Sequence, residues 1–152
     1  MIFMKGYNID KLPEKYAKAR VKETDISMKD AVNIAHFLRG MSVESAKNVI
    51  DGVIEKKTPV PYFRYLDSVS HRRASGPGRF PIKAAKEFKK LLDDASANAE
   101  FKGLSDDLKI FHISASKGRM VKKFTPKAYG RAGAFFKDLI NLEIVVTENE
   151  KE

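Results

Sequence analysis

The sequence contains no cysteine. Disulfide frameworks and thiolate metal sites are therefore excluded. No apolar run approaches the ~20 residues needed to cross a bilayer as a helix, so membrane insertion is not expected. The opening MIFMKGYNIDKL lacks the apolar stretch and small-residue cleavage site of a secretory signal, which points to the cytosol. No internal repeat is visible. There are three histidines, His36, His71 and His112, without a recognisable ligand spacing, so no metal and no cofactor are expected. SGPGR is not a phosphate-binding Walker loop, because no Lys-Ser or Lys-Thr follows its glycines. The most informative absence is of acid: from Leu108 to Lys137 there is no Asp or Glu, in a chain that holds 20 of them.

What is present is one domain's length of chain, 152 residues, with 43% hydrophobic and 32% charged residues. Lys and Arg number 29, which leaves a net charge of +9. Such an excess concerns partners rather than fold, and its usual partners are nucleic acids or anionic membranes.

The first 16 residues read as an irregular arm broken by Gly6 and Pro13. AKARVKE (17–23) reads as a strand or the approach to one. Ser27 reads as an N-cap, with Asp30 at the third helical position and Ala31, Val32, Ile34, Ala35 and Leu38 at helical spacing before Gly40. Ser42 caps a second helix with the apolar face Val43, Ala46, Val49, Ile50, Val53 and Ile54. Residues 57–81 hold Pro59, Pro61, Gly76, Pro77, Gly78 and Pro81, which forbid a continuous helix. Aromatic and basic residues alternate there, so the segment reads as an ordered loop lying against something. A third helix is expected from about Ile82 to Ala99, buried through Ala84, Ala85, Phe88, Leu91, Leu92 and Ala95. Its lysines come first and its aspartates last, against the helix dipole. In LKIFHISAS strict alternation puts Leu108, Ile110, His112, Ser114 and Ser116 on one face, and Lys109, Phe111, Ile113 and Ala115 on the other. LEIVVTE (142–148) is β-branched and reads as a strand. The expected fold is α+β: three helices packed on a small three-stranded antiparallel sheet, with a long protruding β-hairpin.

The acid-free stretch supplies that hairpin. Gly118 and Pro126 exclude a helix through it. Phe124 and Tyr129 offer planar groups for stacking, and Gly130 and Gly133 allow close backbone approach. Its crowded bases repel one another and have no core beneath them, so they call for an anionic partner. RNA phosphates fit, because Lys and Arg contacts release counterions. DNA or another polyanion stays open on composition alone.

At this point the residues resemble a known family. AKAR, LRGMSVESA, PVPYFRY, HRR, GPGRFPIKAAKEF, ANAEFKGL, KGRMVKKFTPKAYGRA and LEIVV match, in order, the large-subunit ribosomal protein twenty-two family, numbered seventeen in eukaryotes. The match runs from about residue 17 to 147. PVPYFRY and HRR lie in an insertion of the archaeal and eukaryotic branch. The resemblance implies one ribosomal protein domain over 1–152: an arm at 1–16, the insertion at 57–81, a hairpin at 109–142 with its tip about 125–133, and an acidic tail at 148–152. It implies a structural, cytoplasmic component of the large subunit and no enzymatic activity. Its partners would be 23S-type rRNA, neighbouring large-subunit proteins and the nascent polypeptide in the exit tunnel. By matching position, the hairpin rRNA contacts would be Lys117, Arg119, Lys122, Lys123, Lys127 and Arg131. Body contacts would be Lys18, Arg20, Arg39, His71, Arg72, Arg73, Arg79 and Lys83. The tunnel tip would comprise Thr125, Pro126, Ala128, Tyr129, Gly130, Ala132 and Gly133. Three positions depart from the family's pattern: Lys127 where Arg is common, Gly133 where a bulkier residue is usual, and Asn141 where His is frequent.

Two rival classes compete. A nuclease would need His36, His71 or His112 in a catalytic geometry, but His36 falls in a helix, His112 in a strand and His71 among arginines. A non-ribosomal RNA- or DNA-binding regulator would use LRGMSVESAKNVI as a helix-turn-helix. Its second helix, however, would turn Glu44, Asp51 and Glu55 toward phosphate.

Overall fold

Small and branched residues alternate in YAKARVKET, and they form strand β1 (Tyr16–Thr24). The computed structural model describes residues 7, 9, 12–73 and 75–149. Most of the expected N-terminal arm, and residues 150–152 of the expected acidic tail, lie outside them. Ser27 and Ser42 cap helices α1 (Met28–Leu38) and α2 (Val43–Ile54) as the sequence predicts, each hydroxyl accepting from a backbone N–H of the first turn. Gly40, at φ +80°, ends the first of these segments.

The insertion is more than a loop. Val60–Pro61 (β2), His71–Arg72 (β3) and Gly76–Arg79 (β4) form a second, very small sheet in the order β2-β4-β3. GPGR has no alternation to announce a strand. It pairs because Gly78 lacks a side chain, since a Cβ there would sit 3.1 Å from the Val60 carbonyl oxygen. Helix α3 (Ile82–Phe101) follows and runs two residues past the expected end at Ala99, stopping before Gly103 at φ +71°.

Strands β5 (Leu108–Pro126) and β6 (Ala132–Glu148) complete the main sheet in the antiparallel order β1-β6-β5. The expected α+β fold, with three helices, a three-stranded sheet and a long β5–β6 hairpin, is what forms. Ala17 and Ala19 of β1, with Leu142, Ile144 and Val146 of β6, share the face that meets the helices. Ala31, Ile34, Leu38, Ala46, Ile50, Phe88, Leu91 and Leu92 fill the core from the helix side. One expectation fails here. Strict alternation assigned Ile113 to the face opposite Leu108 and Ile110, but all three are core residues. The ladder slips between Ile110 and His112, so the extra residue Phe111 resets the period. His112 is thereby turned to the other face, opposite Val145.

Candidate nucleic-acid interface

The hairpin leaves the body where two irregularities meet across β6. β1 bulges between Val21 and Thr24, and β5 between Lys117 and Met120. Asn141 lies between them, its side-chain oxygen accepting from the Glu23 N–H at 2.9 Å. Gly118 packs on that amide, where a Cβ would meet it at 3.1 Å. Asn141 thus sits at the hairpin's root. Bulges bend and twist strands, so two at one level re-aim the arm.

Beyond the root the ladder runs from Met120↔Asp138 to Pro126↔Ala132. Seven residues per arm at ~3.3 Å each give a reach of ~23 Å. From Lys122 to Arg131 every residue is exposed. Phe124 meets Phe136 edge to face, with ring centroids 5.8 Å apart. Phe124, Phe135 and Phe136 stay open to solvent all the same.

The charges are graded along the arm. At the root, Lys117 pairs with Asp138 at 2.9 Å and Arg119 with Glu23 at 3.3 Å. Asp25 takes Lys137 at 2.6 Å and Lys83 at 2.8 Å. These bonds hold the Asp25 carboxyl below its ordinary pKa, and Asp138 raises that of Lys117. Among the described residues no ion pair reaches Lys122, Lys123, Lys127 or Arg131.

At the tip, the Lys127 N–H donates to the Arg131 carbonyl at 2.7 Å, closing a turn over Ala128–Gly130. Tyr129 takes the left-handed conformation, φ 57°, and its side chain is 97% exposed. Gly130 follows at φ 66°. The hydroxyl of Thr125 donates to the Gly133 carbonyl at 3.4 Å. The Lys127 stem lies across Gly133, where a Cβ would come within 2.9 Å of its Cε. Lys127 and Gly133 are therefore side by side at the tip.

The body candidates do not form one patch. His71, Arg72 and Arg73 are exposed on the insertion, Arg72 over the Phe80 ring at 5.4 Å. Arg79 donates to the Ser68 carbonyl at 3.1 Å and sits over Tyr62 at 5.9 Å. Lys83 opens α3, whose N-terminus has no side-chain cap. Arg39 reaches the Ile113 carbonyl at 3.5 Å. Lys18 and Arg20 lie on the sheet face away from the helices, Lys18 over the Tyr7 ring at 5.2 Å and Arg20 opposite the buried Glu143.

Sequence reasoning assigned no role to Asn33, Lys29, Tyr65 or Phe136. Asn33 is fully buried and ties the insertion to α1. Its only signal was an amide on the apolar side of a helix. The other three line a cleft at the hairpin root. His36 stacks on Phe63 with centroids 3.9 Å apart, and His112 lies 3.4 Å from Glu143. Among the described residues no three His, Cys, Asp or Glu side chains group as a metal site. No described helix is long and apolar enough to cross a membrane.

An α+β body with a basic arm that lacks a core of its own defines a class: small basic α+β proteins with a long protruding β-hairpin. Within that class, the chain belongs to the ribosomal protein L22p/L17e family, whose family model matches residues 19–147. It is 72% identical over 149 residues to the large ribosomal subunit protein uL22 of Picrophilus torridus, covering 98% of this chain and 100% of that one. It is 64% identical over 152 residues to the protein of that name from Thermoplasma acidophilum, covering 99% and 100%. The Ignicoccus hospitalis protein of that name is 45% identical over 148 residues, 93% of each chain. These relatives match the archaeal type expected from the insertion.

Proposed function

We propose that the chain is a structural constituent of the large ribosomal subunit in the cytoplasm. It binds 23S-type rRNA, supports its assembly, and lines the nascent-peptide exit tunnel with its hairpin. Its further partners are neighbouring large-subunit proteins and the nascent polypeptide. Family membership supports the particle. One observation carries the role of the arm: Lys122, Lys123, Lys127 and Arg131 stand exposed, without carboxylate partners among the described residues. An arm of like charges with no core is ordered best by phosphates between the charges. Lys127 and Arg131 flank the tip and are the proposed anchors, with Ala128, Tyr129 and Gly130 toward the tunnel space. The proposed role is binding and architecture, not catalysis.

Two measurements test this. In lysates at moderate salt the protein sediments with large subunits; recovery in the soluble fraction favours a free regulator instead. In cryo-electron microscopy of mutant subunits, Lys127→Glu with Arg131→Glu displaces the tip, since carboxylates then face phosphates. A tip that superimposes on the wild type removes the anchoring role.

A further inference from the structure

The cleft at the hairpin root has a volume of about 740 Å³ and is walled by four separate parts of the chain: the insertion, the start of α1, the start of α3, and the hairpin. Tyr65 enters it from the insertion and Phe136 from β6. Both rings are about half exposed, 48% and 47%. Two large aromatic groups from elements far apart in sequence are thus left half open at one cavity.

The insertion holds Tyr65 there at a cost. Its φ is +60°, an uncommon conformation for a bulky aromatic residue, and Ser68 nearby is at +58°. The buried Asn33 enforces this. Its side-chain oxygen accepts from the N–H groups of Phe63 and Arg64 at 3.0 and 3.2 Å, and its amide donates to the Arg64 carbonyl at 3.2 Å. The residue before Tyr65 is thus pinned at both its backbone groups.

The charges of the cleft are nearly balanced. Lys29, Lys83, Lys117 and Lys137 face Asp25, Asp30 and Asp138. Asp25 is held by two of the lysines, Asp138 by Lys117, and Asp30 accepts from the Tyr62 hydroxyl. Lys29 lies 5.6 Å from the centre of the Tyr65 ring. One positive charge is left over. An acidic peptide would bring several negative charges against that single surplus. A single nucleotide brings one phosphate and a flat base.

From this geometry we infer that the cleft receives one unstacked nucleotide of RNA. Its base lies against Tyr65 and Phe136, and its phosphate is drawn by the surplus lysine charge. RNA is recognised in this way where loops and bulges splay bases onto aromatic side chains. The inference rests on the reading of the chain as an RNA binder, and it adds base stacking at the body to phosphate contact along the arm.

The test uses the full-length protein and a large-subunit rRNA transcript. Tyr65→Ala weakens binding about tenfold, with the slope of log affinity against log salt unchanged, because a stacking contact is lost and no phosphate contact is removed. Tyr65→Phe binds like the wild type. Ultraviolet cross-linking yields a nucleotide adduct on the peptide carrying Tyr65. If the alanine variant melts early, Tyr65→Leu replaces it in the comparison with Tyr65→Phe. Lys122→Glu with Lys123→Glu is the control: it weakens binding and flattens the salt slope. Wild-type affinity in Tyr65→Ala beside a weakened control overturns the cleft. Wild-type affinity in both overturns the RNA reading and the cleft with it. Cross-links in whole subunits from the cleft to a neighbouring protein, with no RNA adduct, also overturn it.

Discussion

Asn33 is fully buried, and its amide also donates to the Lys29 carbonyl at 2.7 Å. Its alanine variant would leave the Phe63 and Arg64 N–H groups without an acceptor beneath the insertion. Each half-buried orphan costs at the lower end of ~1–3 kcal/mol, so Asn33→Ala is expected to lose about 2 kcal/mol in denaturant unfolding. Two hairpin glycines make a contrasting pair. At Gly118 a Cβ meets the Leu139 carbonyl at 3.1 Å, a backbone atom held near the ladder. At Gly133 it meets only the far end of a lysine. Gly118→Ala is therefore expected to cost ~1 kcal/mol or more, and Gly133→Ala less than ~0.5 kcal/mol. Thermal melts of the two variants check the order. In the second, proton contacts between Lys127 and residue 133 should weaken, because the stem must lift away.

At the scale of the element, the hairpin is two structures in one ladder. Its root is tied to the body by Arg119–Glu23 and by Asp25, which bridges Lys83 on α3 and Lys137 on β6. Its outer half has neither core nor ion pairs among the described residues. Hydrogen exchange should reflect this, with amides from about 120 to 136 exchanging faster than those of α3. Equal protection would show that the outer ladder is held by something other than an RNA partner. The root should also respond to acid. Asp25 has a folded pKa below its unfolded one, because Lys137 and Lys83 bond its charged form. Its contribution is complete above the unfolded value and is lost as pH falls through the folded one, hence below about pH 4. Asp25→Asn should flatten that part of the stability curve. Acid limbs that coincide in wild type and variant would remove the carboxylate from this role. Glu148, held down by Lys15 and the Ser105 N–H, shares the direction.

For the whole molecule, the core and the exposed basic arm are separate parts. The core lies among three helices and the lower sheet, and Ile140 and Ile113 are its members nearest the arm. Deleting 118–134 removes none of them. The shortened protein is expected to melt within a few degrees of the full chain and to bind rRNA more weakly. It should also show a smaller salt slope, since each lost phosphate contact removes roughly one released counterion. An unchanged slope would assign the electrostatic contact to the body.

The sequence by itself determined the local pieces. Ser27 and Ser42 announced two helices, the spacing from Ala84 to Ala95 a third, and the missing acids between Leu108 and Lys137 the arm. Caps, periods and charge runs are properties of neighbours in the chain, so they can be read there. Three features depended on contacts between distant segments. The bulge at Phe111 moved Ile113 into the core, and it answers to the pairing with β6 rather than to any motif. The small sheet of the insertion joins Val60 to Arg79 across a gap that no alternation marks. The cleft at the root needs Tyr65, Lys83 and Phe136 side by side, which are brought together only when insertion, helix and hairpin pack. The grading of charge along the arm has the same origin. Lys117 and Lys122 look alike in sequence, and folding brings a carboxylate to one and to the other none among the described residues.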